Sequence, residues 1–380
     1  MKYSEEIKKY RKENALSQQD LASMLGVKLN TIYRWESEKY MPSNKYKKRL
    51  NCLIGEKVFK KENEYIKSPL NYTGNKYRIL KQIIPNFPNK IDVFVDMFCG
   101  GATVGANVNA KKVYFIDSNE RVISLLKFIA RSNFKKFVSS LEQKIVYYNL
   151  SYSNLNGYAH YFNAATPDNK NNGLKKFNKV GFEKMKADYN LLPNKNSDEA
   201  NTLLYLLLVY GFNNDLRFNS KGEYNLPCGK TDLNKNNLNK IYDFILKAQK
   251  SEFIFICGDF RDPKIQKICF EEAEYLYLDP PYLITDAVYN ETSKWNEETE
   301  NSLINFLNKA MEHHLPFCLS NVISKKNEQD EEIFNWPLKN FIDNHETLKV
   351  QGIDCHYRSS SYNKKNRNSM EKEIIVLHEE

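Results

Sequence analysis

The chain has 380 residues, of which 41% are hydrophobic and 27% charged; that is enough apolar mass for two or three packed domains, and it fits neither a disordered tail nor a small disulfide scaffold. Mean hydropathy is −0.64, no apolar run nears the roughly 20 residues that cross a bilayer, and no signal-type apolar stretch follows the first residues; these features predict a soluble cytoplasmic protein with no membrane partner. The formal net charge of +9 favours a polyanionic partner, while seven scattered cysteines without a CxxC pair point away from a zinc site or a disulfide framework.

The charge is concentrated at the amino-terminal end. Residues 1–55 hold 12 Lys/Arg against 6 Asp/Glu, a net of +6, which marks a candidate nucleic-acid module. Within it, Ser17-Gln-Gln-Asp20 has the spacing of a capping box, and Leu21, Met24 and Leu25 predict a short amphipathic helix ending at Gly26. A second helix is expected from Leu29. Ile32 and Trp35 would face inward, leaving Asn30, Thr31 and Arg34 outward. From Ile7 to Leu53, including Pro42 after Trp35-Glu-Ser-Glu-Lys-Tyr40, this stretch resembles a Cro/repressor-type helix-turn-helix. The resemblance implies that Gln18 holds a phosphate, that Asn30 and Arg34 meet base edges, and that the head can dimerise. Lys28 departs from the usual small polar cap and adds a phosphate-seeking charge. A helical bundle serving as a protein-docking cap is the plainer alternative.

Residues 56–68, charged and closed by Ser68-Pro69, read as a linker. Beyond it, β-rich apolar runs recur at Ile91 to Met97, Val113 to Asp117, Phe253 to Cys257, Tyr275 to Leu278, Phe317 to Ser320 and Glu373 to Leu377. Helical stretches separate them, which predicts a mainly parallel α/β sheet. The gap between the second and third runs is too long for a βα connection. It predicts an inserted domain over 121–250, leaving 69–120 and 251–380 to form the sheet.

Strand Ile91 to Met97 runs into Asp96-Met-Phe-Cys-Gly-Gly101-Ala-Thr, a glycine turn expected to open a helix and to let the backbone approach a ligand. The next strand ends at Asp117, where a carboxylate can accept both hydroxyls of a ribose. Because the turn is not GxGxxG, and because Asp279-Pro280-Pro281-Tyr282 follows a later apolar run, S-adenosylmethionine fits better than a nicotinamide cofactor. The two prolines fix the backbone and remove its donors. Asp279 and the Pro280 carbonyl can then accept both hydrogens of an exocyclic amine, while Tyr282 offers a ring on which an extruded base can stack.

With these motifs, the carboxy-terminal 310 or so residues resemble the Dam-type (D12, alpha-class) DNA adenine-N6 methyltransferases. The resemblance implies a Rossmann-like class I methyltransferase sheet carrying an inserted, mainly helical target-recognition domain. Tyr72 and Lys76 would line the S-adenosylmethionine pocket, Asp96 and the turn from Phe98 through Gly100 to Gly101 would hold its methionine part, and Asp117 its ribose. Asp259-Phe260 would flank its adenine, and Asp279 would touch both cofactor and target amine. Tyr72 replaces the commoner tryptophan, and Ala102 a common third glycine.

Inside the insertion, Tyr210-Gly-Phe-Asn-Asn-Asp-Leu-Arg217-Phe-Asn219 leads into a Gly/Asn/Pro hairpin signal from Gly222 to Lys230. This resembles the recognition hairpin of relatives that modify GATC. It implies that Arg217 is bidentate to guanine, with Asn219 beside it and Asn71 where relatives often carry a guanine-reading lysine. GATC, or another GA-containing site in double-stranded DNA, is the expected target. A partner restriction endonuclease, in a bacterial or phage setting, is implied as well.

Three other readings remain open. Pro227-Cys228 is the dipeptide of a cytosine-C5 methyltransferase nucleophile, although it lies in the recognition hairpin. Cytosine-N4 methylation shares the amine chemistry, usually with Ser in place of Asp279. The chain could also be a transcriptional regulator with its methyltransferase part secondary. The basic, aromatic tail Tyr357 to Arg367 reads as a solvated loop, Glu328 to Glu332 as a solvated surface, and His313-His314, lacking partners at ligand spacing, predicts no metal site.

Overall fold

The structure, a computed structural model, describes residues 3–13, 16–25, 27–43, 46, 50, 65–72, 74–161, 173–284, 295–327, 329–353 and 371–379. The chain divides into two compact units, Met1–Tyr65 and Ile66–Glu380. The tail from Tyr357 to Arg367, Gly26 and most of the expected linker lie outside the described residues.

The first unit contains α1 (Tyr3–Glu13), α2 (Gln18–Leu25) and α3 (Leu29–Glu36). The capping box is reciprocal: Asp20 Oδ2 accepts from Ser17 N at 2.8 Å, and Ser17 Oγ accepts from Asp20 N at 3.1 Å. No side chain caps α3, as expected with Lys28 at its start. Ile7, Leu21, Leu25, Ile32, Trp35 and Leu50 form one core. Asn30 and Arg34 are exposed.

The second unit is built on an eight-stranded sheet in the order β3-β2-β1-β4-β5-β8-β7, with β6 paired to β5. Its strands are β1 (Ile91–Met97), β2 (Ala110–Asp117), β3 (Glu252–Cys257), β4 (Tyr275–Leu278), β5 (Phe317–Lys326), β6 (Glu332–Phe334), β7 (Lys349–Gly352) and β8 (Glu371–His378). The first five in spatial order run parallel; β8 pairs antiparallel with β5, and β7 with β8. Apolar residues from both kinds of element, among them Val95, Leu276, Leu303, Phe306 and Val376, close over the sheet. The expected segment 121–250 contributes α4 (Glu120–Arg131), α5 (Phe134–Tyr147), α6 (Lys175–Leu191), α7 (Asp198–Tyr210) and α8 (Lys235–Ala248). It does not separate as a compact unit of its own. Its first helix, α4, packs on β2 and β3, and α8 packs on α4.

One expectation needs correction. The glycine turn does not open an α-helix: residues 101–104 form turns, followed by a single 3-10 turn, Gly105–Asn107. The physical reason is that the backbone donors there have other acceptors, since Gly105 N donates to Asp96 Oδ2 at 2.8 Å and Cys99 N to Ile116 O at 2.9 Å. The common third glycine also has a structural basis here. Ala102 sits at φ 59°, in the left-handed region that strains a residue with a Cβ, so the cost of Ala102 falls on the backbone and not on ligand contact.

Candidate active site

Strand register brings three carboxylates to one edge of the sheet. Asp96 lies across from Phe115 of β2 and Tyr277 of β4; Asp117 ends β2; Asp279 directly follows β4. Since β1 is flanked by β2 on one side and by β4 on the other, this edge is where an open parallel sheet leaves a crevice. A cavity of about 380 Å³ lies there. Tyr72, Lys76, Asp96, Phe98, Gly100, Asp117, Asp279 and Pro281 line it, together with Phe218, Asn219, Ser220 and Gly222 of the hairpin.

The glycine turn shapes its floor. Phe98 and Gly100 adopt φ 60° and 47°, and a Cβ at Gly100 would come within 2.8 Å of the Tyr72 ring. That close approach accounts for both the glycine and the aromatic. Asp117 accepts from Gly100 N through Oδ2 at 2.9 Å and from Asn119 N through Oδ1 at 2.8 Å, so the turn and the carboxylate hold each other. Burial pushes the Asp117 carboxyl above its ordinary range, although those two amides work against the shift. Asp96 is 2% exposed. Burial raises its carboxyl well above the usual value, the Gly105 amide opposes this, and the charges of Asp279 and Asp117 add to it.

Asp279 has a different surrounding. Its Oδ1 lies 2.8 Å from Lys76 Nζ and 3.2 Å from Tyr282 Oη. Burial raises this carboxyl, and the Lys76 ammonium is the largest influence holding it down. Lys76, 4% exposed, also donates to Tyr282 Oη at 2.9 Å, and the single Tyr282 hydroxyl proton has two carboxylates in reach, Glu373 Oε1 at 3.1 Å and Asp279 Oδ1 at 3.2 Å, and goes to one of them at a time. Sequence reasoning located Lys76 on the cavity loop but missed that its ammonium faces the Asp-Pro-Pro-Tyr motif. It also missed Glu373, whose signal was a carboxylate directly ahead of the apolar run Ile-Ile-Val-Leu.

The other predicted residues divide clearly. Pro280 is buried. Phe260 and Asp259 do not line the cavity: Phe260 is buried with its ring 5.4 Å from that of Phe98, and Asp259 is bound by the Arg261 guanidinium at 2.8 and 2.7 Å. Arg217 is exposed near the base of a hairpin closed by the Phe218 and Tyr224 bridge, and its Nε donates to Asn225 Oδ1 at 2.9 Å. Asn219 shapes the hairpin tip, accepting from Lys221 N and Glu223 N at 3.0 Å each. Asn71 is exposed and donates to Asn213 O at 3.2 Å. In the first unit, Gln18 Nε2 donates to Glu36 Oε2 at 2.7 Å, beside an Arg11 and Glu36 ion pair. Cys228 is buried, and burial pushes its thiol up to about 11, which is opposite to what a thiolate nucleophile needs.

The lining fits S-adenosylmethionine. Thr103, which sequence reasoning passed over, is 5% exposed and lines the cavity with a hydroxyl that has no hydrogen-bond partner. A buried hydroxyl in that state suits a polar ligand group. Tyr72 offers a ring, Asp96 and Asp117 offer acceptors for ammonium and hydroxyl groups, and the Gly100 backbone admits a close approach. Among the described residues, no helix is long and apolar enough to cross a membrane.

Residues 72–350 match the D12 class N6 adenine-specific DNA methyltransferase family, and residues 7–55 match a helix-turn-helix family. The chain is 31% identical over 391 residues to a modification methylase, StsI, of Streptococcus sanguinis, covering 95% of this chain and 54% of that protein. It is 32% identical over 309 residues to the type II methyltransferase M.FokI of Planomicrobium okeanokoites, covering 80% of this chain and 42% of that one. With the DNA adenine methylase of Escherichia coli strain K12 it shares 24% identity over 258 residues, covering 66% and 79%. The chain thus spans about half the length of the first two relatives.

Proposed function

We propose, for a chain that belongs to the D12 class N6 adenine-specific DNA methyltransferase family, that it transfers a methyl group to N6 of an adenine extruded from double-stranded DNA. The observation that carries this reading is the Asp279 carboxylate, held at the cavity edge by Lys76 and Tyr282 next to a turn built for a close-fitting ligand. When bound, S-adenosylmethionine supplies a methyl carbon already activated by its sulfonium. The residues of the chain do the rest. Tyr72, Asp96, Phe98, Gly100, Thr103 and Asp117 would hold the donor. Asp279 and the Pro280 carbonyl accept the two hydrogens of the amine, which turns the nitrogen lone pair toward the methyl carbon. As the N–C bond forms, the methyl carbon's bond to sulfur would break with its electron pair left on a neutral thioether, and Asp279 would stabilise the positive charge that develops on nitrogen until an N–H proton departs to solvent.

The hairpin lining the same cavity supports reading of the target by that segment, with Arg217 as the guanine contact. GATC is the first sequence to test, followed by other GA-containing sites. Names of the relatives support a place in restriction and modification, with a cognate endonuclease as functional partner and the cytoplasm as the site of action. The helix-turn-helix unit, with Asn30 and Arg34 exposed on α3, supports a second DNA-binding head that regulates a promoter or raises local concentration on DNA.

Digestion of treated DNA to nucleosides, followed by mass analysis, tests the reaction. N6-methyladenine is the expected product; N4- or C5-methylcytosine overturns the assignment. Removal of residues 1–65 should leave turnover on short duplexes and abolish promoter binding, whereas loss of all turnover would show that the two units do not act independently.

A further inference from the structure

The mechanism above gives no role to a buried carboxylate close to Asp279. Glu373 stands on β8, at the far side of β5 from β4, and is 6% exposed. Its Oε1 lies 3.1 Å from Tyr282 Oη and 3.8 Å from Lys76 Nζ. A carboxylate is costly to bury unless paired, and this one is paired with the same two groups that touch Asp279. The cluster therefore holds one ammonium between two carboxylates.

We propose that Glu373 is a positioning residue for methyl transfer: it shares the Lys76 cation with Asp279 and orients the Tyr282 hydroxyl, so that Lys76 neutralises Asp279 less completely where that carboxylate faces the target amine. A cation held by Asp279 alone would make its oxygens poorer acceptors. Sharing it with Glu373 leaves more negative charge on Asp279 just where nitrogen becomes positive as its bond to the methyl carbon forms. Tyr282 gains a second constraint. Its ring is fixed at one end by the backbone of the motif and at the other by a hydroxyl held between Lys76, Asp279 and Glu373.

The inference rests on the reading of this cavity as an amine-methylating site, and the test separates the two. The groups facing Asp279 are Lys76, Tyr282, Asp96, Tyr277, Cys318 and, through Lys76, Glu373. Of these, Glu373→Gln changes only one charge while keeping the shape. Full-length protein would be assayed for single-turnover formation of N6-methyladenine across pH, alongside binding of S-adenosylmethionine by calorimetry. The Gln variant should lose rate on the order of 10-fold, with cofactor affinity unchanged. Its acid limb should move down by about one pH unit, because the Lys76 ammonium is then no longer shared with a second carboxylate. Glu373→Asp, which keeps the charge but is one methylene shorter, should fall between the Gln variant and wild type in both respects.

A folded Gln variant with the wild-type rate and acid limb overturns the proposal. So does a slower Gln variant whose acid limb has not moved, since a purely structural role predicts that result. Should the Gln variant fail to fold by circular dichroism, the Asp variant carries the test, and an unchanged rate and limb there overturn it equally. A wild-type protein that forms no N6-methyladenine on any duplex overturns the reading of the site, and this inference with it.

Discussion

Lys76 Nζ stands 2.8 Å from Asp279 Oδ1, joining a loop ahead of the sheet to the residue that follows its fourth strand. The Asp279 carboxyl is raised by burial and held down chiefly by this ammonium. Lys76→Met should therefore raise it further, so that more of the carboxyl is protonated at neutral pH. Methyl transfer should drop on the order of 100-fold near pH 7 and recover partly as pH rises, which moves the acid limb upward. A pH profile of single-turnover rates reads this directly. A Met variant with its limb at the wild-type position would show that the ammonium does not set the charge of Asp279.

Gly100 makes a second, independent prediction. Its φ of 47° and the 2.8 Å that would separate an added Cβ from the Tyr72 ring both exclude a side chain. Gly100→Ala adds left-handed strain of about 1 to 2 kcal/mol and displaces the ring that lines the cavity. Calorimetry should find S-adenosylmethionine bound at least tenfold more weakly, while Tyr72→Ala in the same background recovers little, because the ring itself is needed. Wild-type affinity in Gly100→Ala would place the donor elsewhere.

Asp96 connects the site to stability. Its carboxyl is pushed well above its ordinary value, with burial as the main cause. A raised carboxyl takes up its proton more readily in the folded chain than in the unfolded one. Its contribution is then fully present below the unfolded value and is lost as pH rises through the folded value. Asp96→Asn should remove that loss, leaving the cofactor-free protein more stable at pH 8 by about 1 kcal/mol and flattening the fall in stability between pH 5 and pH 8. Asn Oδ1 can still accept from Gly105 N. The gain should come with weaker S-adenosylmethionine binding. Denaturant titration at the two pH values checks both the sign and the slope, and a variant less stable at pH 8 than wild type contradicts it.

How much of this could be read from residues alone depends on where each residue finds its partner. Strands β1 and β4 begin and end where their apolar runs do, since both are buried in the middle of the sheet and their own side chains report that. Strands β6 and β7 were missed. Their residues are almost wholly exposed, with no apolar alternation, and only the neighbours β5 and β8 define them. The motif residues were legible one at a time, because glycine turns and Asp-Pro-Pro-Tyr constrain their own backbone. Glu373 and Thr103 were not, because their significance depends on groups that only the folded sheet brings near: Tyr282 for one, the other walls of the cavity for the other. Gln18 likewise has a partner that its position in the helix-turn-helix does not reveal: its Nε2 donates to the buried carboxylate of Glu36 at 2.7 Å.

Arg217 tests the assignment of the hairpin as the reader of sequence. Arg217 is exposed, and its Nε donates to Asn225 Oδ1, a bond that uses neither terminal nitrogen. Two parallel donors are what the O6 and N7 acceptors of guanine require in the major groove. Arg217→Ala should cost about 1 to 3 kcal/mol of discrimination at a single base position, while the rate on the preferred duplex falls less than discrimination does. Arg217→Lys should restore part of the affinity through phosphate or base contact but not the bidentate selectivity. The measurement is methylation of duplexes that differ by one base pair at each position of GATC and its flanks. If the Ala variant ranks those duplexes in the wild-type order and by the wild-type ratios, guanine is read by another residue. The other nearby candidate is Asn71, tied to the same segment through Asn213 O at 3.2 Å. Asn71→Ala would then be expected to relax selectivity at a base that Arg217→Ala leaves untouched.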